Sequence, residues 1–237
     1  MRVRVGTSGF AYDAWRGSFY PEGLKPAERL AYYSRQLDSV EINNSFYRMP
    51  QAELLEKWRQ AVPDDFVFVL KAPQRITHVK RLQPSAAEDV GYLLQQAQGL
   101  GPKLGPLLFQ TSPFLKKDAA RLREFLSLLP SGVRAAFEFR NPGWHDEEVR
   151  GLLAERGAAL CLADTDDAET PPLCATGRFG YLRLRRADYD AAALRRWADA
   201  VRQEPWDEAF VFFKHEDAGK GPALARAFRA AMDAQVP

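Results

Sequence analysis

The feature that most constrains this chain is an alternation. Eight short apolar runs, at residues 2–6, 39–43, 66–70, 107–110, 134–139, 159–163, 180–185 and 208–213, recur from end to end, with helical patterns between them. Most of the runs are continuous in Val, Leu, Phe and Ala instead of alternating with polar residues. That continuity marks strands covered on both faces. Eight such strands alternating with about seven helices in 237 residues predict a single-domain α/β fold, a TIM-like (β/α)8 barrel over residues 1–237. An open doubly wound sheet is the runner-up. It ranks lower because "GTSGF" after the first run is not a G-x-G-x-x-G fingerprint.

The intervening segments carry helix signals. In residues 85–100, Val90, Leu93, Leu94, Ala97 and Leu100 share one face, and Ser85 with Glu88 has the spacing of a capping box. Leu122, Phe125, Leu126 and Leu129 repeat the pattern in residues 116–129. Gly157 stands where a helix over 146–156 should stop. Asp190 is placed to cap a helix over 191–201, and a last helix is predicted from about Gly221 to Met232. The link "DTDDAETPPLCATGRF" between strands six and seven has two adjacent prolines and no helical period, so its helix should be missing or reduced to a turn.

Glu41 lies between Val40 and Ile42, Glu138 between Phe137 and Phe139, and Arg183 between Leu182 and Leu184. Alternation along a strand puts each charge on the face opposite its apolar neighbours. In a barrel the neighbours would face the helices and the charges the lumen. The ends of the strands and the loops after them carry further polar residues: Asn43 and Tyr47, Lys71 and His78, Gln110, Arg140 and Trp144, Asp164, Arg185, Lys214 and His215. Barrel chemistry gathers at those C-terminal ends. Glu41, Lys71, Glu138, Arg140 and Asp164 are the candidate catalytic group. Asn43, Tyr47, His78, Gln110, Trp144, Arg183, Arg185, Lys214 and His215 are the candidate substrate contacts. Two other readings stand beside this one. Glu41 and Glu138 would fill the barrel in an ion-pair network with Arg140, Arg183 or Lys71, and Asp164 would cap a turn.

The aromatic-dense loop holding Phe10, Tyr12, Trp15, Phe19 and Tyr20 fits either a stacking wall for a sugar or base, or a loop packing its own rings across the mouth. Gly219 and Gly221 before the last helix suit a phosphate site with Arg183, Arg185 and Lys214, or only a helix start.

The net charge of +2 is too small to imply a nucleic-acid partner, which needs a clustered basic face. Two cysteines without metal spacing, Cys161 and Cys174, fit a reducing compartment. No apolar leader and no span of 18 apolar residues appears, so a cytoplasmic protein without membrane contact is expected. No cofactor is predicted. A divalent metal on Glu41, His78, Glu138, Asp164 or His215 has no ligand spacing behind it.

The segments "GTSGFAYDAWRGSFYP", "VEINNSFYRMP", "FVFVLKAPQRITHVKRL", "LGPLLFQTSPF", "FEFRNPGW", "YLRLR" and "FKHEDAGKGPALA", in this order, resemble the domain-of-unknown-function 72 family, also called YecE-like. The resemblance spans nearly the whole chain. It implies a TIM-like barrel of bacterial or archaeal type and no established activity. The pattern places Glu41, Asn43, Phe46, Tyr47, Lys71, Thr77, His78, Gln110, Glu138, Arg140, Trp144, Asp164 and Arg183 at recurring positions. The chain departs from it at Phe10, where Trp is usual, and at Arg185, where the family reads His. It also departs in "FKHED", which replaces "FNND". A family chemistry using that strand-seven His would be absent here or carried by His215, which weakens a metal-centred reading.

The resulting expectation is a barrel enzyme, a hydrolase or isomerase, acting on a small anionic, phosphorylated or sugar-like substrate by carboxylate acid/base chemistry. A nucleic-acid binding or processing protein and a non-catalytic ligand-binding barrel are the alternatives. Oligomeric state is not written in the sequence.

Overall fold

A computed structural model describes residues 1–234. Eight parallel strands close into a barrel in sequence order: β1 (Arg2–Ser8), β2 (Ser39–Ile42), β3 (Val67–Lys71), β4 (Leu104–Gln110), β5 (Ala135–Glu138), β6 (Ala159–Asp164), β7 (Phe179–Leu184) and β8 (Glu208–Phe213). Closure is direct, with β1 pairing β8 from Arg2 opposite Glu208 to Thr7 opposite Phe213. This removes the open doubly wound alternative.

Helices follow seven of the strands: α1 (Arg29–Tyr33), α2 (Ala52–Gln60), α3 (Ala87–Ala97), α4 (Ala119–Ser127), α5 (Glu147–Arg156), α6 (Ala191–Gln203) and α7 (Lys220–Asp233). Among the described residues none follows β6, where the chain from 165 to 178 is irregular, as the paired prolines require. Gly157 ends α5 at φ 67°, a conformation glycine adopts without a Cβ penalty, and Asp190 caps α6 by accepting from the Ala193 N–H at 2.6 Å. The expected capping box does not form. A 3-10 turn at Pro84–Ala86 intervenes, Ala86 becomes the cap of α3, and no side chain bonds there.

The apolar side chains separate into two layers. Val40, Ile42, Phe137, Phe139, Leu182 and Leu184 belong to the large cluster between strands and helices. Val67, Val69, Leu108, Ala136, Ala159, Cys161, Phe179, Tyr181, Phe210 and Phe212 form a second cluster inside the barrel. The strand faces are therefore the ones that alternation predicts. The lumen is filled by side chains up to Val69, Leu108, Tyr181 and Phe212, and the charges lie next along the strands.

The first loop is core. Trp15, Phe19 and Tyr20 are buried; Trp15 packs on Phe19 and Tyr20, and these two meet Tyr32 and Tyr33 of α1 edge-on. Of the two readings of that loop, the rings packing on one another is the one the structure has, with α1 as their floor. No helix among the described residues is long and apolar enough to cross a membrane.

Candidate functional site

Glu41 leaves β2 into the lumen and is completely buried. Its Oε1 accepts from Ser8 Oγ at 2.7 Å, Arg183 NH2 at 2.8 Å and Asn43 Nδ2 at 3.1 Å, and its Oε2 accepts from Tyr181 OH at 2.6 Å. Glu138 leaves β5 toward the same point and is 3% exposed. Its Oε2 accepts from Arg183 NH1 at 2.6 Å, and its Oε1 accepts from Gln110 Nε2 at 2.8 Å and Arg140 Nε at 3.2 Å. One guanidinium thus binds two carboxylates from opposite walls, one through each terminal nitrogen.

The chain of contacts continues from Gln110, whose Oε1 accepts from Lys71 Nζ at 2.8 Å. Side chains from β1, β2, β3, β4, β5 and β7 are joined in a single polar layer above the apolar lumen. Nearly every donor and acceptor in it is used, which is the condition for a buried polar network to be tolerated. The Arg183 Nε is the exception, buried without a partner.

Electrostatics follow from this geometry. Burial pushes the Glu138 pKa up, but Arg183, Arg140 and the Gln110 amide outweigh it and hold the group down at about 2. Glu41 also sits below the ordinary carboxylate range, because Arg183, Tyr181 and Ser8 outweigh its burial. Lys71 moves the other way. Burial first, and the Arg183 cation second, lower it to about 8, and the nearby carboxylates only partly offset this. His78 is lowered by burial, Lys71 and Arg140.

Lys71, Phe46 and His78 form one corner of the mouth. Lys71 Nζ stands 4.1 Å from the Phe46 ring centroid, and the His78 ring meets the same ring edge-on at 5.0 Å. Thr77 Oγ1 lies 2.9 Å from His78 Nδ1. Both residues sit in a single-turn π-helix (Arg75–Val79), followed by Arg81 and Leu82 at φ 52° and 58°. Two consecutive non-glycine residues in the left-handed region are strained.

At the ends of β5, β6 and β7 the mouth opens into a cleft of about 820 Å³ whose lining includes Glu138, Arg140, His145, Cys161 and Arg185 but not Lys71, Phe46 or His78. The irregular chain after β6, from Thr165 to Pro172, forms its other wall. Arg140 is 40% exposed there. The Arg185 guanidinium has no hydrogen bond or ion pair among the described residues.

Several expected site residues lie elsewhere. Asp164 does not enter the lumen network. Its alternation partner Ala163 faces the cleft, and Asp164 itself accepts from Thr170 Oγ1 and Arg186 Nε, both at 2.6 Å, and from Tyr189 OH at 2.9 Å. It ties the β6–β7 link to the chain after β7 and caps no turn of its own. Trp144 is fully buried, stacked on Phe139 at 4.5 Å, and donates its Nε1–H to the Leu115 carbonyl. It packs under the loop and presents nothing to a ligand. Tyr47 is on the surface at 74% exposure. Lys214 pairs with Glu216 at 3.6 Å. His215 Nε2 donates to the Arg186 carbonyl at 2.5 Å. Arg183, expected to hold an anionic ligand, has both terminal nitrogens engaged by the two glutamates. Among the described residues no three His, Cys, Asp or Glu side chains come together in a way that could hold a metal ion.

Tyr181, Phe46, Thr170, Arg186 and Tyr189 were not among the expected site residues. Tyr181 had a readable signal, since it is two residues before Arg183 and so on the same strand face. The partners of Asp164 had none, because they lie in irregular chain.

Known proteins resemble this chain along its length. The family model described as "Protein of unknown function DUF72" matches residues 4–237. UPF0759 protein YecE of Escherichia coli strain K12 is 28% identical over 142 residues, 57% of this chain and 52% of that protein. UPF0759 protein YunF of Bacillus subtilis is 30% identical over 151 residues, 60% of this chain and 52% of that protein. The chain thus matches about half the length of these curated relatives. A crystal structure of a DUF72 family protein from Thermotoga maritima superposes with TM-score 0.88 at 25% identity, covering 99% of this chain and all of the other. A DUF72 family protein from Enterococcus faecalis superposes with TM-score 0.79 at 20% identity over 99% of this chain and 97% of that one, a likeness of fold.

Proposed function

The chain belongs to the DUF72 family of proteins of unknown function, and from the charges at its own barrel mouth we propose an enzyme that binds a small anionic substrate there. One observation carries the reading. The mouth holds four cations, Lys71, Arg140, Arg183 and Arg185, against two carboxylates, Glu41 and Glu138, and Arg183 alone engages both carboxylates. Arg185, which has no side-chain partner among the described residues, and Arg140, whose side chain is 40% exposed, line an 820 Å³ cleft of a size that suits a small molecule. A phosphate or carboxylate group on the ligand would supply the missing negative charge, and an arginine fork suits either.

In this reading the two glutamates hold the field and do not move protons. A carboxylate with a pKa near 2 is a poor acid or base at neutral pH, where a useful group titrates close to the working pH. Glu41 has no free face through which a substrate could reach it. Proton handling falls to Lys71 and His78, which are partly exposed in the same corner.

Titration calorimetry with inorganic phosphate, a triose phosphate, a dicarboxylate and a neutral hexose tests this. Binding of the anions, lost by at least tenfold in Arg185→Gln, is expected. Equal or better binding of the neutral sugar would remove the reading. A second reading, single-stranded nucleic acid, draws on Tyr47 and Phe114, 74% and 89% exposed on loops after β2 and β4, since exposed rings can stack bases. Fluorescence anisotropy with labelled oligonucleotides at low salt separates the two.

A further inference from the structure

We propose that Lys71 is a nucleophile that captures the carbonyl carbon of an anionic aldehyde or ketone as an imine. This rests on the anion-binding reading of the same mouth and adds to it a substrate class, a carbonyl compound bearing a phosphate or carboxylate.

The geometry around the amine carries the inference. Among the described residues Lys71 is a lumen cation with no carboxylate within 4.0 Å, whereas Arg140 has one and Arg183 two. Its hydrogen-bond partner is the Gln110 side-chain oxygen, which bears no charge and does not hold the amine as an ammonium. The amide cannot turn over, because its Nε2 is fixed on Glu138. The Phe46 face excludes water from one side of Nζ. The amine is half-buried at the open end of β3 and remains reachable, unlike Glu41. A lysine freed of its proton by burial and by a neighbouring cation is the form that makes imines, and the lowered pKa of Lys71 has those two causes in that order.

His78 completes the corner. Attack of the neutral amine forms a C–N bond and places the electron pair on oxygen. The nitrogen then gives up its two protons, the oxygen receives both, and the C–O bond breaks to release water. A further proton on nitrogen gives the iminium. No oxidant, reductant or metal is needed. His78, whose pKa is lowered first by burial and also by Arg140, is suited to pass the protons. The π-turn that carries it sets its ring edge-on to Phe46 at 5.0 Å.

Two measurements on the wild-type chain test this. The first is competitive acetylation from pH 6 to 11 with peptide mapping. Lys71 should react roughly tenfold faster at pH 7.5 than the other lysines, reflecting its lower pKa. The second is incubation with glyoxylate, then with propionaldehyde, each with sodium cyanoborohydride, locating the adduct by mass spectrometry. One adduct per chain at Lys71 is expected, absent in Lys71→Arg. Trapping by glyoxylate, but not by propionaldehyde, should fall at least fivefold in Arg185→Gln. Labelling spread over all lysines at equal rates would overturn the imine proposal and leave anion binding, measured by calorimetry, standing. Trapping at Lys71 that is indifferent to Arg185 would leave the imine standing and remove the anion site.

Discussion

Arg183 on β7 and Glu41 on β2 meet across the barrel lumen at 2.8 Å although 142 positions separate them in the chain. Neither strand is adjacent to the other in the sheet. The contact is therefore a brace through the barrel's interior, and Glu138 on β5 extends it to a third wall.

Removing the centre of this brace should be far worse than removing all of it. Arg183→Met leaves two buried carboxylates without a counter-charge, and a loss of about 3–5 kcal/mol is expected in urea denaturation at pH 7. Adding Glu41→Gln and Glu138→Gln to the same chain should recover most of that loss. A cost below about 1 kcal/mol for Arg183→Met alone would show that the brace does not hold these acids charged.

The brace also sets an acid limit. The folded pKa of Glu138, about 2, lies below its ordinary value of 4.5, so the folded state favours the unprotonated form. The stabilisation is fully present above pH 4.5 and is lost as pH falls toward 2. Its size is on the order of 3 kcal/mol. Denaturation curves collected between pH 5 and pH 2 should steepen in their pH dependence there for the wild type, and flatten in Glu138→Gln. Identical slopes in the two proteins would contradict the assignment.

Gly6 lies two residues before Ser8 on the lumen face of β1. A Cβ at this position would stand 2.0 Å from the Ser39 carbonyl oxygen. The obstacle is backbone, so β1 and β2 would have to part just below the Ser8–Glu41 bond. Gly6→Ala should cost about 3 kcal/mol, at the upper end of overpacking effects. A thermal melt unchanged within error would show that the sheet yields there.

Asp164 binds two loops and touches no lumen charge, so its loss should be local. Asp164→Asn weakens the ion pair to Arg186, and amide hydrogen exchange should rise at least several-fold across residues 165–178. Exchange in β2, β5 and β7 should not change. Faster exchange in those strands would mean that Asp164 belongs to the central network after all.

The fold was readable because strand faces are a local property. Val40, Glu41 and Ile42 differ in polarity, and alternation assigns them to opposite sides whatever the rest of the chain does. The missing helix after β6 was readable for a similar reason, since Pro171 and Pro172 act on their own backbone. Pairing is not local. Nothing in residues 41, 138 and 183 says that one arginine takes both acids and is thereby withdrawn from ligand binding. Arg140 and Arg183 look alike in sequence, yet one is exposed at the mouth and the other is sealed beneath it. Trp144 and Asp164 misled for the same reason: a conspicuous residue at a strand end was assigned to the mouth, but the outward register of Asp164 and the packing surface under the β5 loop claimed them. The first and second helices carry weaker signals because α1 has only five residues and α2 is mostly polar, with Leu55 its one buried residue.

The bare connection after β6 has a consequence for how this barrel could diversify. Each of the other six links between strands carries a helix that must pack against its neighbours, so a change in its length disturbs the outer ring. The 165–178 segment carries no helix, and yet it walls one side of the cleft. Insertions and deletions there would reshape what the cleft admits while the helices and the charged brace stay as they are. The shape of the cleft can therefore vary at this one segment without disturbing the brace beneath it.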